Sequence, residues 1–296
     1  MKLLLAINPH AGGKRALKSI PEVKKLFSEF NCEIELVFSE YPSFFTNYIA
    51  NANLSLYNGI IAAGGDGTLF EVANGWMKNT SEIKPPIGIL PIGTGNSFSM
   101  EMNIANNNLR KAVEIIAANK PELVDLGHCQ TANSEFFFAN ILGTGFVCDV
   151  IVLAHKLKFL GKSAYNLAVL HQILFLQNRT VELLIDGKTI KQKNLLIEIS
   201  NTKYTGKDYL MAPEASFNDG FLDVIIAEKM SRLKLLNLFI KLFKGEHIFT
   251  PEVQYLKAKH IEIKSIERQP LSPDGELLGT LPAVIKCIPK ALPVFV

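Results

Sequence analysis

The chain has 296 residues, of which 48% are hydrophobic and 20% are charged, and its formal net charge is +3. This composition is typical of a globular protein with one large domain or two ordinary ones. The net charge is too small for the concentrated basic face of a nucleic-acid-binding protein, so we expect no nucleic-acid partner.

The cysteines and the apolar runs bear on the cellular compartment. The 4 cysteines form no C-x-x-C pair, which argues against a zinc ribbon and against thioredoxin-type chemistry. The apolar run at the amino terminus is too short for a signal peptide, and Asn8-Pro9 ends it as a strand would end. The longest apolar helix candidate, 164–176, is shorter than the ~20 residues that a membrane span requires. We expect a cytoplasmic protein.

Strands and helices alternate over the first part of the chain. The runs that predict strands are, in order, 2–8, 32–38, 59–63 and 87–92. The stretches that predict helices are 21–30 with Ser19 as its cap, a segment after Pro42, 68–77 and 109–119. This alternation is typical of a doubly wound parallel sheet. We assign residues 1–127 to an α/β domain.

The pattern changes after residue 125. Strand-like segments follow at 136–142, 180–185, 195–200, 221–227 and 260–264. Two helical insertions interrupt them, at 150–177 with a break near Gly161, and at 231–243. We assign residues 128–296 to a β-rich, sandwich-like domain. The apolar tail, 281–296, predicts a last strand in either half and could return to the first domain.

The strongest motif comes directly after the third predicted strand and reads Gly64-Gly65-Asp66-Gly67-Thr68. Glycines let the backbone approach a phosphate closely, and a helix amino terminus supplies free N–H groups. A carboxylate at such a site is explained if a metal ion links it to the phosphates. A glycine-rich turn in which Asp66 only caps a helix explains this motif equally well.

Two further glycine-rich loops favour a nucleotide or phosphate site. Asn8-Pro9-His10-Ala11-Gly12-Gly13 follows the first predicted strand, and Pro91-Ile92-Gly93-Thr94-Gly95-Asn96 follows the fourth. The carboxyl ends of parallel strands share one sheet edge, where ligands bind. No Walker-type P-loop is present: Gly161-Lys162-Ser163 has its ending, but Lys156 stands at the position of the first glycine, and we interpret the segment as a helix break.

The order Asn-Pro-x-x-Gly-Gly, Gly-Gly-Asp-Gly-Thr and Pro-x-Gly-Thr-Gly-Asn resembles the catalytic domain of diacylglycerol and sphingosine kinases, including small bacterial lipid kinases. The resemblance covers the whole chain. It implies an amino-terminal α/β domain, a carboxyl-terminal β-sandwich domain with helical insertions, and a nucleotide cleft between them. It also implies an ATP-dependent kinase that phosphorylates a lipid hydroxyl, with ATP and Mg²⁺ as cofactors.

The resemblance assigns the nucleotide to the loops described above. Ser39 stands where the family usually has a nucleotide-binding threonine, and it keeps the hydroxyl. By this correspondence the nucleotide-binding residues are Asn8, Gly12, Gly13, Ser39, Gly64, Gly65, Asp66, Gly67, Thr68, Gly93, Thr94, Gly95 and Asn96. Asp66 is also expected to act in catalysis, through a Mg²⁺ that neutralises the phosphates.

Two later segments match family sites. In the first, the resemblance implies a structural Mg²⁺ held by the Asp219 carboxylate and the backbone carbonyls of Ser216 and Phe221. In the second, it implies that Glu276 is the general base on the acceptor hydroxyl and that Asp274 positions it. From the residues alone, both segments are turns.

Several alternatives remain at this stage. Diacylglycerol kinases commonly carry Asp where this chain has Ser97, so diacylglycerol-, sphingoid- and phosphatidylglycerol-type acceptors all stay open. An NAD kinase-like enzyme shares Gly-Gly-Asp-Gly, and an inactive lipid- or nucleotide-binding protein is a third hypothesis. Residues 150–176 are either a lipid-binding mouth that contacts a bilayer or a core helix pair with a basic outer face. We expect a lipid substrate at a membrane surface, and the sequence does not indicate the oligomeric state.

Overall fold

The structure is a computed structural model that describes residues 1–105, 107–157, 164–206 and 209–296. The chain forms two compact units. The first unit contains Met1–Leu126, Phe137–Ala139 and Pro289–Val296, and the second contains Gly127–Phe136 and Asn140–Ile288.

The first unit is built on a parallel sheet. Its strands are β1 (Lys2–Ile7), β2 (Glu33–Phe38), β3 (Gly59–Gly64) and β4 (Ile87–Pro91), in the order β4-β3-β1-β2. Its helices are α1 (Ala11–Glu29), α2 (Phe44–Asn51), α3 (Asp66–Lys78), α4 (Ser97–Glu101) and α5 (Leu109–Ala118). Because Ile7 pairs with both Phe38 and Ala63 while Gly64 pairs with Pro91, all four strands end at one edge. The predicted α/β alternation is confirmed.

Helix α1 differs from its prediction. The regular helix begins before Pro21, which lies inside it, and Gly12, Gly13 and Lys14 have left-handed φ angles of 58°, 69° and 71°. Ser19 was predicted as a helix cap, and this is wrong: its hydroxyl donates to the Ala16 carbonyl at 2.9 Å. Such a bond to the preceding turn is typical of a serine inside a helix.

The core of the first unit lies between helices and sheet. Phe27 of α1 and Val113 of α5 pack with Leu5 and Ile61 of the strands. Phe295, close to the carboxyl end of the chain, belongs to the same buried cluster.

The second unit is antiparallel. Strand β5 (Pro121–Thr131) enters it from the first unit. The other strands are β6 (Glu135–Phe138), β7 (Ile141–Gly145), β8 (Arg179–Ile185), β9 (Lys188–Ser200), β10 (Tyr204–Thr205), β11 (Tyr209–Leu210), β12 (Leu222–Glu228), β13 (Val253–Ala258), β14 (His260–Ser265), β15 (Leu271–Pro273) and β16 (Ala283–Phe295). The first half of β9 pairs with β8, and its second half lies between β7 and β12. The β-rich second part is confirmed, although the single predicted strand 136–142 is two strands, β6 and β7.

Two helical insertions cover this unit. They are α6 (Phe146–Lys156) followed by α7 (Ala164–Leu174), and α8 (Arg232–Leu242). The predicted break near Gly161, with Gly161-Lys162-Ser163, lies outside the described residues. No helix in the described ranges is long and apolar enough to cross a membrane. The cysteines are free thiols.

Candidate active site

The three glycine-rich loops meet at the strand ends of the first unit. A Cβ added to Gly12 would overlap the carbonyl oxygen of Ile92, so the loop after β1 lies directly against the loop after β4. A Cβ on Gly93 would overlap Gly65 Cα and lie 2.7 Å from Gly65 N. The Gly93 N–H also donates to the Gly64 carbonyl at 2.8 Å. The predicted convergence therefore occurs, and glycine is required at these backbone contacts.

Arg15, which the sequence did not single out, ties two of these loops together. Its Nε donates to the Gly12 carbonyl at 2.9 Å, and one terminal nitrogen donates to the Gly93 carbonyl at 2.9 Å. The other terminal nitrogen donates to Asn107 Oδ1 at 3.0 Å. The guanidinium thus holds the loops after β1 and β4 at a fixed separation.

Asp66 is turned toward the loop after β4. Its Oδ2 accepts hydrogen bonds from the Ser97 backbone N–H at 3.1 Å and from the Ser97 hydroxyl at 3.2 Å, and its Oδ1 accepts from the Phe98 N–H at 3.3 Å. Burial raises the pKa of Asp66, and these hydrogen bonds oppose the shift. Asp66 therefore caps α4 rather than its own helix, and Ser97 is its hydrogen-bond partner. The role of Asp66 toward a metal stays a prediction.

The other predicted nucleotide residues lie in the same region. The Asn8 N–H donates to the Ala63 carbonyl at 3.2 Å, and the Ser39 N–H donates to the Ile7 carbonyl at 3.0 Å. Thr68 is buried beside Gly64, whereas Thr94 is exposed. Asn96 is buried, and its side-chain amide donates to the Pro91 and Gly93 carbonyls. Asn96 thus shapes the loop, while Thr94 is open to a ligand.

In the second unit, Asp274 and Glu276 lie on a tight turn after β15. Asp274 has a left-handed φ of 45° and is buried. Its Oδ1 accepts from the Asn140 and Ile141 backbone N–H groups, each at 2.9 Å. The Glu276 N–H donates to the Pro273 carbonyl at 2.8 Å, while its side chain is exposed and bonds to no described residue. Asp274 therefore anchors a turn that presents a free Glu276 carboxylate.

The predicted metal segment is also a turn. Asp219 Oδ1 accepts from the Phe221 N–H at 3.0 Å, and Oδ2 pairs with Lys257 Nζ at 2.6 Å. Among the described residues no three His, Cys, Asp or Glu side chains converge as a metal site. Asp223, however, lies near Asp219, and its Oδ2 is buried without a partner in the described ranges. Carboxylate oxygens of this kind suit a hard cation such as Mg²⁺, but the Lys257 ammonium occupies Asp219 Oδ2, and a metal ion would have to displace it. The metal role of Ser216, Asp219 and Phe221 stays a prediction.

The second unit also contains an apolar cavity that is partly open to solvent. Its walls come from α6, α8 and the sheet, and include Phe146, Val150, Leu196, Leu235, Phe239 and Leu242. We predicted a lipid mouth at residues 150–176, but of the described residues in that range only Val150 lines this cavity. The other walls come from segments that are distant along the chain.

Comparison with known proteins decides the family. Residues 2–129 match the family model of the diacylglycerol kinase catalytic domain, and residues 140–296 match that of the YegS C-terminal NAD kinase beta sandwich-like domain. The diacylglycerol kinase of Staphylococcus carnosus (strain TM300) is 32% identical, over 93% of this chain and 89% of the relative. The chain belongs to the diacylglycerol kinase family. It is a lipid kinase, and the predicted resemblance is confirmed.

Two further comparisons fit this assignment. Sphingosine kinase 1 of Arabidopsis thaliana is 27% identical to the lipid kinase, over 98% of this chain and 71% of the relative. A crystal structure of a diacylglycerol kinase from Bacillus anthracis str. Sterne, 24% identical, covers 99% of this chain and 96% of its own with a TM-score of 0.79. This likeness shows the shared fold, an α/β domain followed by a β-sandwich domain.

Proposed function

We propose that this lipid kinase transfers the γ-phosphate of ATP to a lipid hydroxyl, with a diacylglycerol-type acceptor as its first candidate. The observation that carries the proposal is the convergence of the Gly12, Gly65 and Gly93 loops at one sheet edge. Backbone N–H groups at such an edge, together with the amino terminus of α3, suit a polyphosphate. The bacterial relatives at 30% and 32% identity are named diacylglycerol kinases, which supports the glycerol-type acceptor.

The chain's own residues would divide the chemistry between them. Phosphoryl transfer depends mainly on positioning and on electrostatic stabilisation of the transferred group. Thr94 and the three loops would hold the triphosphate, and the exposed Glu276 carboxylate would accept the proton of the attacking hydroxyl. When bound, Mg²⁺ would neutralise part of the negative charge on the phosphates. Asp66 and the Asp219 segment are the proposed positions for metal ions.

A panel assay tests the proposal directly. The lipid kinase is incubated with γ-labelled ATP and, separately, with diacylglycerol, sphingosine, ceramide, phosphatidylglycerol and NAD. We expect labelled phosphatidic acid as the dominant product. Label transferred to NAD alone would make the chain an NAD kinase. A chain that labels no acceptor while binding ATP would be an inactive binding protein.

We predict that Gly93→Ala weakens ATP binding by about tenfold, because the new methyl group must separate the loops after β3 and β4. Overpacking of this kind costs about 1–3 kcal/mol, and ~1.4 kcal/mol corresponds to tenfold in affinity. Isothermal titration calorimetry gives the affinity. Gly187→Ala is the matched control, since its φ of +83° strains the alanine while nothing lies within 4 Å. Equal ATP affinity in both variants would contradict the proposed phosphate site.

Asp66→Asn should lower both ATP affinity and turnover, because an amide offers only one of the two carboxylate oxygens to Ser97 and Phe98. Hydrogen bonds to a charged group are worth about 1.5–3 kcal/mol, so a tenfold or larger loss is expected. Ser97→Ala removes one bond and keeps the two backbone N–H bonds. The loss should therefore be smaller in Ser97→Ala. A fully active Asp66→Asn enzyme would rule out this role.

Lipid access is proposed through the helices of the second unit. Helix α8 buries Leu235, Leu238 and Leu242, yet its other side exposes more apolar side chains. The exposed ones are Leu233, Leu236, Ile240 and Phe243. Helix α7 similarly buries one face and exposes Leu167, Leu170 and Leu174, which supports the predicted lipid-binding mouth. Together with Arg232, Lys234 and Lys241 on α8 and Lys244 just after it, these side chains suit the surface of an anionic bilayer.

We predict that Leu233→Glu combined with Ile240→Glu reduces binding to phosphatidylglycerol-containing vesicles by at least about tenfold. Burying one large apolar side chain in lipid contributes about 1.5–3 kcal/mol. Co-sedimentation measures the bound fraction. Ile266→Glu is the control, because Ile266 is 99% exposed and lies outside both helices. If the double variant and the control bind vesicles equally well, α8 does not contact the membrane.

A further inference from the structure

One carboxyl group lies in the wall of the apolar cavity of the second unit. Glu198 is near the carboxyl end of β9, opposite Gly143 of β7 on one side and Ile225 of β12 on the other. It lines the cavity and is only 2% exposed. A Cβ on Gly143 would lie 2.9 Å from Glu198 Oε2, so the glycine leaves room for the carboxyl group.

The Glu198 side chain has no hydrogen bond and no ion pair to any residue in the described ranges. A buried polar group without a partner is costly, and proteins seldom retain one without a function. The cavity has a second such atom in His247. Its Nε2 donates to the Met211 carbonyl at 2.8 Å, which leaves the buried Nδ1 as an unpartnered acceptor. The walls of the cavity are therefore apolar except for two polar groups, the Glu198 carboxyl and His247 Nδ1, that have no hydrogen-bond partner among the described residues.

The protonation state of Glu198 decides which ligand group it would bind. Burial raises its pKa to about 8, so the carboxyl is mainly a neutral acid at pH 7. No described cation pairs with it. A neutral carboxylic acid donates its O–H to an acceptor, and a carbonyl oxygen is the acceptor found at the head of an acyl chain.

We propose that Glu198 is a specificity-determining residue that donates a hydrogen bond to the acyl carbonyl of the lipid chain held in this cavity. The ligand class is a long alkyl chain that begins with an ester or amide carbonyl. This inference rests on the proposed function for the choice of a lipid as ligand. It selects acyl lipids over ether lipids and over free long-chain amines.

The experiment compares pairs of lipids that differ only in the carbonyl. The first pair is a propane-1,2-diol diester and the matching diether, neither of which has a hydroxyl to phosphorylate. Calorimetric titration in detergent micelles measures their affinities for the wild type, Glu198→Gln and Glu198→Met. We expect the wild type to bind the diester about five- to tenfold more tightly than the diether, as one hydrogen bond allows. Glu198→Gln should keep most of this ratio, because its amide still donates, and Glu198→Met should lose it.

The ratio of the diester affinity to the diether affinity is taken within each variant. A general change in folding or cavity shape affects both affinities and therefore cancels. Replacing the diester by the matching diamide gives the same ratio, relative to the diether, for an amide carbonyl, and the larger ratio identifies the source of the carbonyl. An undiminished ester preference in Glu198→Met would overturn the inference. So would tighter wild-type binding of a free long-chain amine than of the diester, since Glu198 would then be a carboxylate that binds cations.

The outcome is separable from that of the proposed function. If the ester preference is present but no lipid is phosphorylated, the proposed kinase reaction fails and the cavity assignment stands. If diacylglycerol and dialkylglycerol are phosphorylated with equal kcat/KM and bind equally, the cavity assignment fails while the kinase stands.

Discussion

We expect Glu276→Ala to lower the turnover of diacylglycerol by about 10²–10⁴-fold and to leave ATP affinity nearly unchanged. The magnitude is that of a lost general base. The expectation follows from an exposed carboxylate on a turn that Asp274 anchors through two backbone N–H groups, each at 2.9 Å. Steady-state kinetics gives kcat, and calorimetry gives the ATP affinity of the same variant.

Two further variants make this result specific. Glu267→Ala removes another exposed glutamate of the second unit and should retain wild-type turnover. Asp274→Asn should lower both turnover and the midpoint of thermal unfolding, because Asp274 acts by fixing the turn. A Glu276→Ala enzyme with unchanged turnover would show that Glu276 is not the base.

Glu198→Met should make the protein more stable than the wild type at pH 8, and by less at pH 5. Burial raises the pKa of the Glu198 carboxyl from an ordinary value of 4.5 to about 8. Between these values the folded state holds one more proton, so the unfolding free energy of the wild type falls as pH rises, by about 1.4 kcal/mol per pH unit. Methionine removes this dependence and has a similar size. The gain at pH 8 relative to pH 5 should be about 3–4 kcal/mol.

Urea unfolding at pH 5, 6, 7 and 8 measures this difference, taken as variant minus wild type at each pH. Cys148 and His247 near the carboxyl, and the Asp149–Arg179 ion pair beside Cys148, are present in both proteins, so their contributions largely cancel. Glu198→Gln should show the same flattened pH dependence. A difference that does not change with pH would mean that Glu198 is not buried as an acid.

A stability gain of this size in Glu198→Met would indicate that the wild-type glutamate is kept for a function and not for stability. Binding sites commonly retain groups that reduce the stability of the fold. Glu198→Met should therefore be more stable and less selective among lipids. Finding both effects in one variant would connect the buried acid to lipid recognition.

The sequence predicted the first unit well because its signals are local. The strands are short apolar runs, and each of the three loops carries glycines directly after a strand. Contacts such as those of Arg15 could not be predicted, since its partners Gly93 and Asn107 lie 78 and 92 positions away. Nothing in the pattern around Arg15 distinguishes it from a surface cation.

The second unit was harder to predict because its strands do not show the usual alternation of buried apolar and exposed polar side chains. The first half of β9 is rich in lysine and lies outside the predicted strand 195–200, although it pairs along its length with β8. Glu198 alternates with apolar residues, a pattern that predicts a solvent-facing side chain. It is instead covered by α6, α8 and their neighbours, which enclose the cavity. Only tertiary packing reveals this acid as buried.

The last strand has a consequence for dissecting the enzyme. Residues Pro289–Val296 belong to the first unit, where the Lys290 N–H donates to Asp125 at 2.7 Å and Phe295 fills space beside Gly59. A fragment ending at residue 127 would lack residues Pro289–Val296, including the buried Phe295. Loss of a buried phenylalanine side chain lowers the unfolding free energy by about 3–5 kcal/mol. The catalytic half should therefore refold in isolation only when the eight-residue tail is supplied, as a peptide in trans or by circular permutation.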